Sequence, residues 1–356
     1  MRIFGDSRAR VAGVARMAAL LAGAAIVVSP AVARADSTDP LFLFVPKPPA
    51  ISEGIPKPPP TGYLNGPCGI AVDSAHNFYV SDYYHDAVDV FSSERVYKGQ
   101  LAGIDPLDGP CQTAFDAADH LDVDDYHRSV LRYAAFPAFG AGAEITGAAL
   151  DGNHPTGVAV DAETGDVYVD EGSYVAKYEA PVTPGDEPAA KIGLGTLGEG
   201  YGLAISRNPS TLGWLYVADA ADDTVKVYDP AADAVNPVQT IDGQATPTEG
   251  FVSLRDSAVA VDRVTGEVYV VDDLQPALTE EPQATVYVFS LGGVYEGHLK
   301  HNVVDARPPG LAVDNGGGLG QGRVYVTSGN TSEAGVYAYP QHAATITAPV
   351  PAPLPL

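Results

Sequence analysis

Short apolar runs alternate with acidic and glycine-rich breaks along most of the chain, and the alternation repeats. A small–apolar core closes on a polar residue six times: GIAVD at Gly69, QTAFD at Gln112, GVAVD at Gly157, GLAIS at Gly202, AVAVD at Ala258 and GLAVD at Gly310. The central alanine recurs as Ala71, Ala114, Ala159, Ala204, Ala260 and Ala312. The closing residue falls at Asp73, Asp116, Asp161, Ser206, Asp262 and Asp314, so the unit returns at steps of 43 to 56 residues. Each copy carries a second run (FYVSD, LDVDD, VYVDE, LYVAD, VYVVD, VYVTS) and a third (VDVF, VLRY, VAKY, VKVY, VYVF, VYAY). A fourth follows in several copies, clearest in RVYKGQLAG. Runs this short, rich in Val and Tyr and bounded by Gly, Asp and Asn, predict strands. No segment shows the 3.6-residue period of a helix.

Four strands of about 5–6 residues with their turns use about 40–45 residues, the period of a propeller blade. One four-stranded sheet cannot cover both of its faces. Set radially, each sheet packs on its neighbours and the ring closes, which predicts an all-β, six-bladed β-propeller of four-stranded antiparallel blades. The alanines then belong on the innermost strands, where converging backbones leave no room for larger side chains. The closing Asp residues are turn formers, as in DAETG and DRVTG, where Asp bonds the backbone and Gly accepts positive φ. The outer strand of copy six has two possible sources: AATITAPV near the C-terminus, or the segment before Gly66.

PCGIAVDSAHNFYVSDYYHDAVDVF, HPTGVAVDAETGDVYVDEGSYVAKY and the pair ARPPGLAVD and GRVYV resemble NHL repeats, the units of six-bladed β-propellers, over about residues 62–345. The resemblance implies the architecture. For function it implies only a range, because that family includes binding modules, scaffolds and a few lyases. Copy four departs at Ser206, copy two carries Asp122 where the others carry Tyr, and copies four and five have longer inserts. Lyases of this kind place metal-binding histidines where the inner strands begin. The matching positions are Pro67, Pro110, His154, Gly200, Asp256 and Pro308, with one histidine, so that catalytic pattern does not carry over.

The ends read differently. Arg2, Arg8, Arg10 and Arg16 precede the apolar run Met17–Val28, and AVARA ends in small residues at Ala33 and Ala35. This pattern predicts a secretory signal over residues 1–35, cut before Asp36, and hence a secreted, extracytoplasmic protein. The apolar run is shorter than the ~20 residues a membrane span requires, so no transmembrane span is expected in the mature chain. Residues 36–61, with PKPP twice, predict a stiff proline-rich linker, residues 62–346 the propeller, and residues 347–356 a proline-rich tail. The formal charge of −25 becomes −29 once the five arginines and one aspartate of residues 1–35 are gone. Such a field disfavours nucleic acid and anionic lipid and favours cations and cationic partners.

Candidate chemistry gathers where the second strands end, at Asp82, Asp125, Glu171, Asp219 and Asp272, with Ser328 interrupting the series. Several carboxylates suit a hard cation such as Ca²⁺; alternatively each acid caps its own tight turn. SDYYHDA and DDYHRSV occupy matching turns of adjacent copies and bring Asp82, Tyr84, His85, Asp125, Tyr126 and His127 together as a candidate ligand site. Tyr rings suit a sugar or peptide, and imidazole with carboxylate suits a transition metal. His85, His127 and His154 form a candidate Zn²⁺ set if they converge, although the first two sit in outward turns and the third at an inner strand. No cofactor is expected beyond these two metal candidates. No G-x-S-x-G, H-E-x-x-H or phosphate-loop motif occurs, and NGGGLGQG reads as a loose hairpin. Cys68 and Cys111, the two cysteines, hold the same place in adjacent copies, and a disulfide requires both to lie within ~7 Å of each other near the axis; otherwise they are buried thiols. The functional expectation is a non-catalytic binding or scaffold module for an extracellular peptide, glycan or protein. The alternatives are a metal-dependent lyase or hydrolase on the same ring and a surface-associated spacer.

Overall fold

The computed structural model describes residues 42–44, 62–102, 107–127, 129–140, 142–145, 157–274, 283–300, 303–304, 309–328 and 334–341. Their strands form six antiparallel sheets. Blade one runs outward through Pro67–Val72, Phe78–Asp82, Ala87–Phe91 and Tyr97–Leu101. The next four blades start from the inner strands Pro110–Phe115, Val158–Val160, Gly200–Ile205 and Val259–Val261. In blade five Val303–Val304 adds a further pairing to the long strand Gln283–Phe289. Each inner strand lies against the inner strand of the next blade, and that of the sixth against the first, so the sheets close into a six-bladed β-propeller. No α-helix occurs among the described residues.

Blade six settles how the ring is completed. Leu311–Val313, Val324–Ser328 and Gly335–Tyr339 supply three strands, and Phe42–Phe44 pairs antiparallel with the last of them, Phe42 opposite Ala338. The segment before Gly66 therefore provides the outer strand. It lies inside the stretch whose composition suggested a linker.

The second strands are buried throughout their length in five blades, and in blade five from Val268 to Asp272, because both faces of a blade meet a neighbour. This explains why they read as continuous apolar runs rather than alternating ones. The core is six slabs, each shared by two adjacent blades; one joins Tyr269 and Val286 of blade five to Val324 and Tyr339 of blade six. A tyrosine occupies the second position of the second strand in five blades: Tyr79, Tyr168, Tyr216, Tyr269 and Tyr325, all buried. In blade two the place belongs to Asp122. Arg132 stands directly opposite on the third strand, its Nε and Nη2 donating to the two carboxylate oxygens at 2.7 and 2.6 Å. The substitution of Tyr by Asp thus comes with a bidentate partner, which a buried carboxylate needs.

The inner strands converge unequally along their length. At their beginnings the backbones touch. A Cβ on Gly69 would stand 2.0 Å from the carbonyl oxygen of Cys111, and one on Gly202 would stand 2.5 Å from that of Ser257. Gly157 and Gly310 face the neighbouring backbone in the same way. Cys68 and Cys111 are disulfide-bonded here, with Cα atoms 4.8 Å apart. In a six-fold ring, equivalent atoms of neighbouring blades are as far apart as each is from the axis. The Cys separation therefore measures how tightly this end of the ring is drawn in. Further along, the six recurring alanines line a central cavity of about 370 Å³.

Candidate functional site

The carboxylates at the ends of the second strands have a shared structural task. Asp82 Oδ1 accepts from the Asn65 amide at 2.8 Å, and Asp125 Oδ1 from the Asp108 amide at 2.7 Å. Asp219 accepts from the amides of Gly198 and Glu199, and Asp272 from those of Val252 and Ser253. In each case the acid ties down the loop that leads into the inner strand of its own blade, 17 to 21 residues earlier in the chain. Asp170 and Asp219 also cap their own turns, through the amides of Gly172 and Ala221. Among the described residues no three His, Cys, Asp or Glu side chains gather as a metal site.

The turns of blades one and two present the aromatic residues. Tyr83–His85 form a single 3₁₀ turn, ended by Asp86 in the left-handed conformation (φ 55°). Backbone bonds from Tyr83 N to Gly66 O and from Tyr84 N to Asn65 O lock it to the lead-in loop. Blade two repeats the arrangement with Tyr126 N to Gly109 O and His127 N to Asp108 O. Asp86 Oδ1 then accepts from Gly109 N across the blade boundary at 3.3 Å.

These scaffolds divide the candidate residues into two groups. His85 Nδ1 lies 2.7 Å from Asp82 Oδ2, with the Tyr63 ring centroid 6.0 Å from the imidazole. Burial raises the Asp82 carboxyl, although His85 and the Asn65 amide draw it back toward ionisation. The second group crosses the boundary. Tyr83 Oη meets His127 Nε2 at 3.0 Å, and the Tyr83 ring lies 6.2 Å from Tyr126 and 5.1 Å from Tyr84, both edge-on. Tyr126 and His127 are in edge contact at 5.0 Å. Tyr84 is 54% exposed and His127 is exposed as well, whereas Tyr83 and Tyr126 are half-buried. Tyr83 is the member that sequence reasoning missed; its position beside Tyr84 in the YYH turn was the available signal. His154 lies outside the described residues.

The two ends of the ring thus differ. One carries the acid-tethered loops, the disulfide and the aromatic patch; the other, formed by the turns after the inner strands, opens onto the central cavity. A gluconolactonase from Xanthomonas campestris, described as important in glucose secondary metabolic pathways, shares 16% identity with this chain at a TM-score of 0.52; the match covers 85% of this chain and 98% of that one. An auxiliary nutrient binding protein from Bacteroides thetaiotaomicron shares 13% at a TM-score of 0.54, covering 77% of this chain and 69% of its own. No protein-family model matches the sequence, and no curated protein matches it. What the chain shares with these proteins is the β-propeller fold.

Proposed function

We propose that the protein is an exported binding module of NHL-like type that holds a glycan or peptide on the aromatic patch of blades one and two. The observation that carries this reading is the set Tyr83, Tyr84, Tyr126 and His127, joined edge to edge across two blades with Tyr84 open to solvent. Aromatic faces with polar tips stack on sugar rings or on peptide side chains and still hydrogen-bond at the rim. The turns beneath them are fixed by backbone bonds, so little ordering entropy opposes binding. The net charge of the exported chain, −29 without residues 1–35, selects for neutral or cationic partners. Arrays of oligosaccharides and peptides probed with the wild-type chain and with Tyr84→Ala and Tyr126→Ala test this. Ligands retained by the wild type and weakened about tenfold or more by either change support it; a ligand set unaffected by both overturns it.

A second reading, a metal-dependent lyase or hydrolase, is favoured by the fold likeness to a gluconolactonase. It requires stoichiometric Ca²⁺ or Zn²⁺ in the purified protein and turnover that falls with His85→Ala and His127→Ala. Export rests on the basic, apolar and small-residue order of residues 1–35, and is checked by whether the secreted chain begins at Asp36.

A further inference from the structure

The open end of the central cavity carries two arginines that the aromatic patch does not involve. Both follow the closing residue of the repeat: Arg207 after Ser206 in blade four, and Arg263 after Asp262 in blade five. Both line the cavity mouth. Neither makes an ion pair among the described residues, although the chain is strongly acidic, and the buried Nε of Arg207 has no hydrogen-bond partner.

The acids at the same mouth are already engaged. Asp73 accepts from the amides of Ala75 and Asn77, the Asn77 side chain and Tyr79 Oη. Asp116 accepts from Ala118 N and His120 N and meets His120 Nδ1, while Asp119 holds the amide and hydroxyl of Ser74. Asp161 and Glu163 act on Arg207 at a distance, without an ion pair. Burial, reinforced by the charge of Arg263, disfavours the Arg207 guanidinium, and the more distant Glu163 and Asp161 only partly offset this.

The rim is also held rigid. Asn208 Nδ2 donates to Arg263 O (3.1 Å), Arg263 N donates to Asn315 Oδ1 (2.8 Å), and Asn315 Nδ2 donates to Val261 O (3.0 Å), linking blades four, five and six. Below the rim the walls are chiefly Ala, Val, Leu and Ile side chains of the inner strands, with Thr113 and Phe115 from blade two, and the far end is drawn in by the touching backbones at Gly69 and Gly202. A pair of unpaired guanidiniums at the polar mouth of a ligand-sized cavity, with apolar inner-strand side chains below them, matches one chemistry. We propose that this end of the ring binds a small amphipathic organic anion, its carboxylate between Arg207 and Arg263 and its hydrocarbon part against the ring of alanines. This site lies at the opposite end from the aromatic patch, so its fate is independent of the function proposed above.

Trp214, the single tryptophan, sits in the same turn as Arg207, with its carbonyl bonded to Ser206 N at 2.9 Å, and supplies an internal reporter. Its emission is titrated with octanoate, with octanamide and with inorganic phosphate. The expected result is a saturable change with octanoate at concentrations where octanamide and phosphate give none. Arg207→Gln and Arg263→Gln each weaken octanoate by about tenfold or more, the effect of losing a charge-assisted hydrogen bond. Octanamide binding as well as octanoate, phosphate binding as well as octanoate, or variants that fold and bind as tightly as the wild type overturn the proposal. The octanoate–octanamide comparison needs only the wild-type chain, so it decides the matter even if a variant does not fold.

Discussion

Asp219 and Asp272 occupy the same position in neighbouring blades, yet their surroundings drive their protons in opposite directions. Burial pushes Asp219 up, but the Lys226 ammonium and the amides of Gly198, Glu199 and Ala221 outweigh it, and the carboxyl ends below its ordinary value. Asp272 is pushed by burial up to about 7; two amides oppose this, and its Oδ2 has no hydrogen-bond partner. An unfolded chain releases the Asp272 proton near the ordinary carboxylate value, whereas the folded chain keeps it to about 7. The fold therefore binds the extra proton over that interval and loses stability as pH rises through it, with the whole penalty present above about 7. Asp219 behaves inversely: its contribution is present above the ordinary value and is lost as acid protonates it. Asp272→Asn keeps the oxygen that accepts from Val252 and Ser253 and removes the buried charge. It is expected to stabilise the protein by about 2 kcal/mol at pH 8 and to give a clearly smaller gain at pH 4.5, as thermal unfolding at the two pH values will register. A gain of equal size at both would contradict the assignment.

At the scale of the strand, the touching backbones explain the glycine that opens four of the six repeat cores. Gly69, Gly157, Gly202 and Gly310 are there for space, since each would drive a Cβ into the adjacent blade. The disulfide belongs to the same ring of contacts and closes a loop with a sequence separation of 43. Replacing Cys68 and Cys111 by Ser is expected to cost about 2–4 kcal/mol of unfolding free energy, measured by denaturant titration. A double variant as stable as the wild type would mean that the glycine contacts alone hold this end. The strands, the axial alanines and the radial position that brings the two cysteines within reach were all legible in the repeat. The destinations of the acids were not. Asp82 and Asp219 reach loops 17 to 21 residues away, and a turn preference says nothing about that distance. Asp122, where the other copies carry Tyr, finds its partner Arg132 by strand register rather than by proximity in sequence, so the repeat shows the departure without its compensation. Arg207 and Arg263 were visible in matching repeat positions, but their lack of partners is a property of three dimensions.

For the whole molecule the decisive feature is that the sixth blade draws its strands from both parts of the chain, Phe42–Phe44 and Leu311–Tyr339. Deleting residues up to 46 leaves the edge of Gly335–Tyr339 without its partner. The expected outcome is a lower melting temperature together with self-association in size-exclusion chromatography, because an uncovered strand edge recruits another. A truncated chain that melts like the wild type and stays monomeric would remove the clasp from any role in stability. Sequence patterning narrowed the outer strand to two segments and went no further: three residues in a proline-rich stretch carry too little periodicity to signal a strand.

This arrangement sets an order of events during synthesis. Phe42–Phe44, which fasten the circle, leave the ribosome ahead of all six inner strands, and they must wait for Gly335–Tyr339, which follows the last inner strand, before they have anything to grip. A nascent chain halted after five blades holds an open arc with bare flanks, the kind of intermediate that misassembles with its neighbours. Completion is thus a single late step, and the slow search between distant segments falls on Phe42–Phe44.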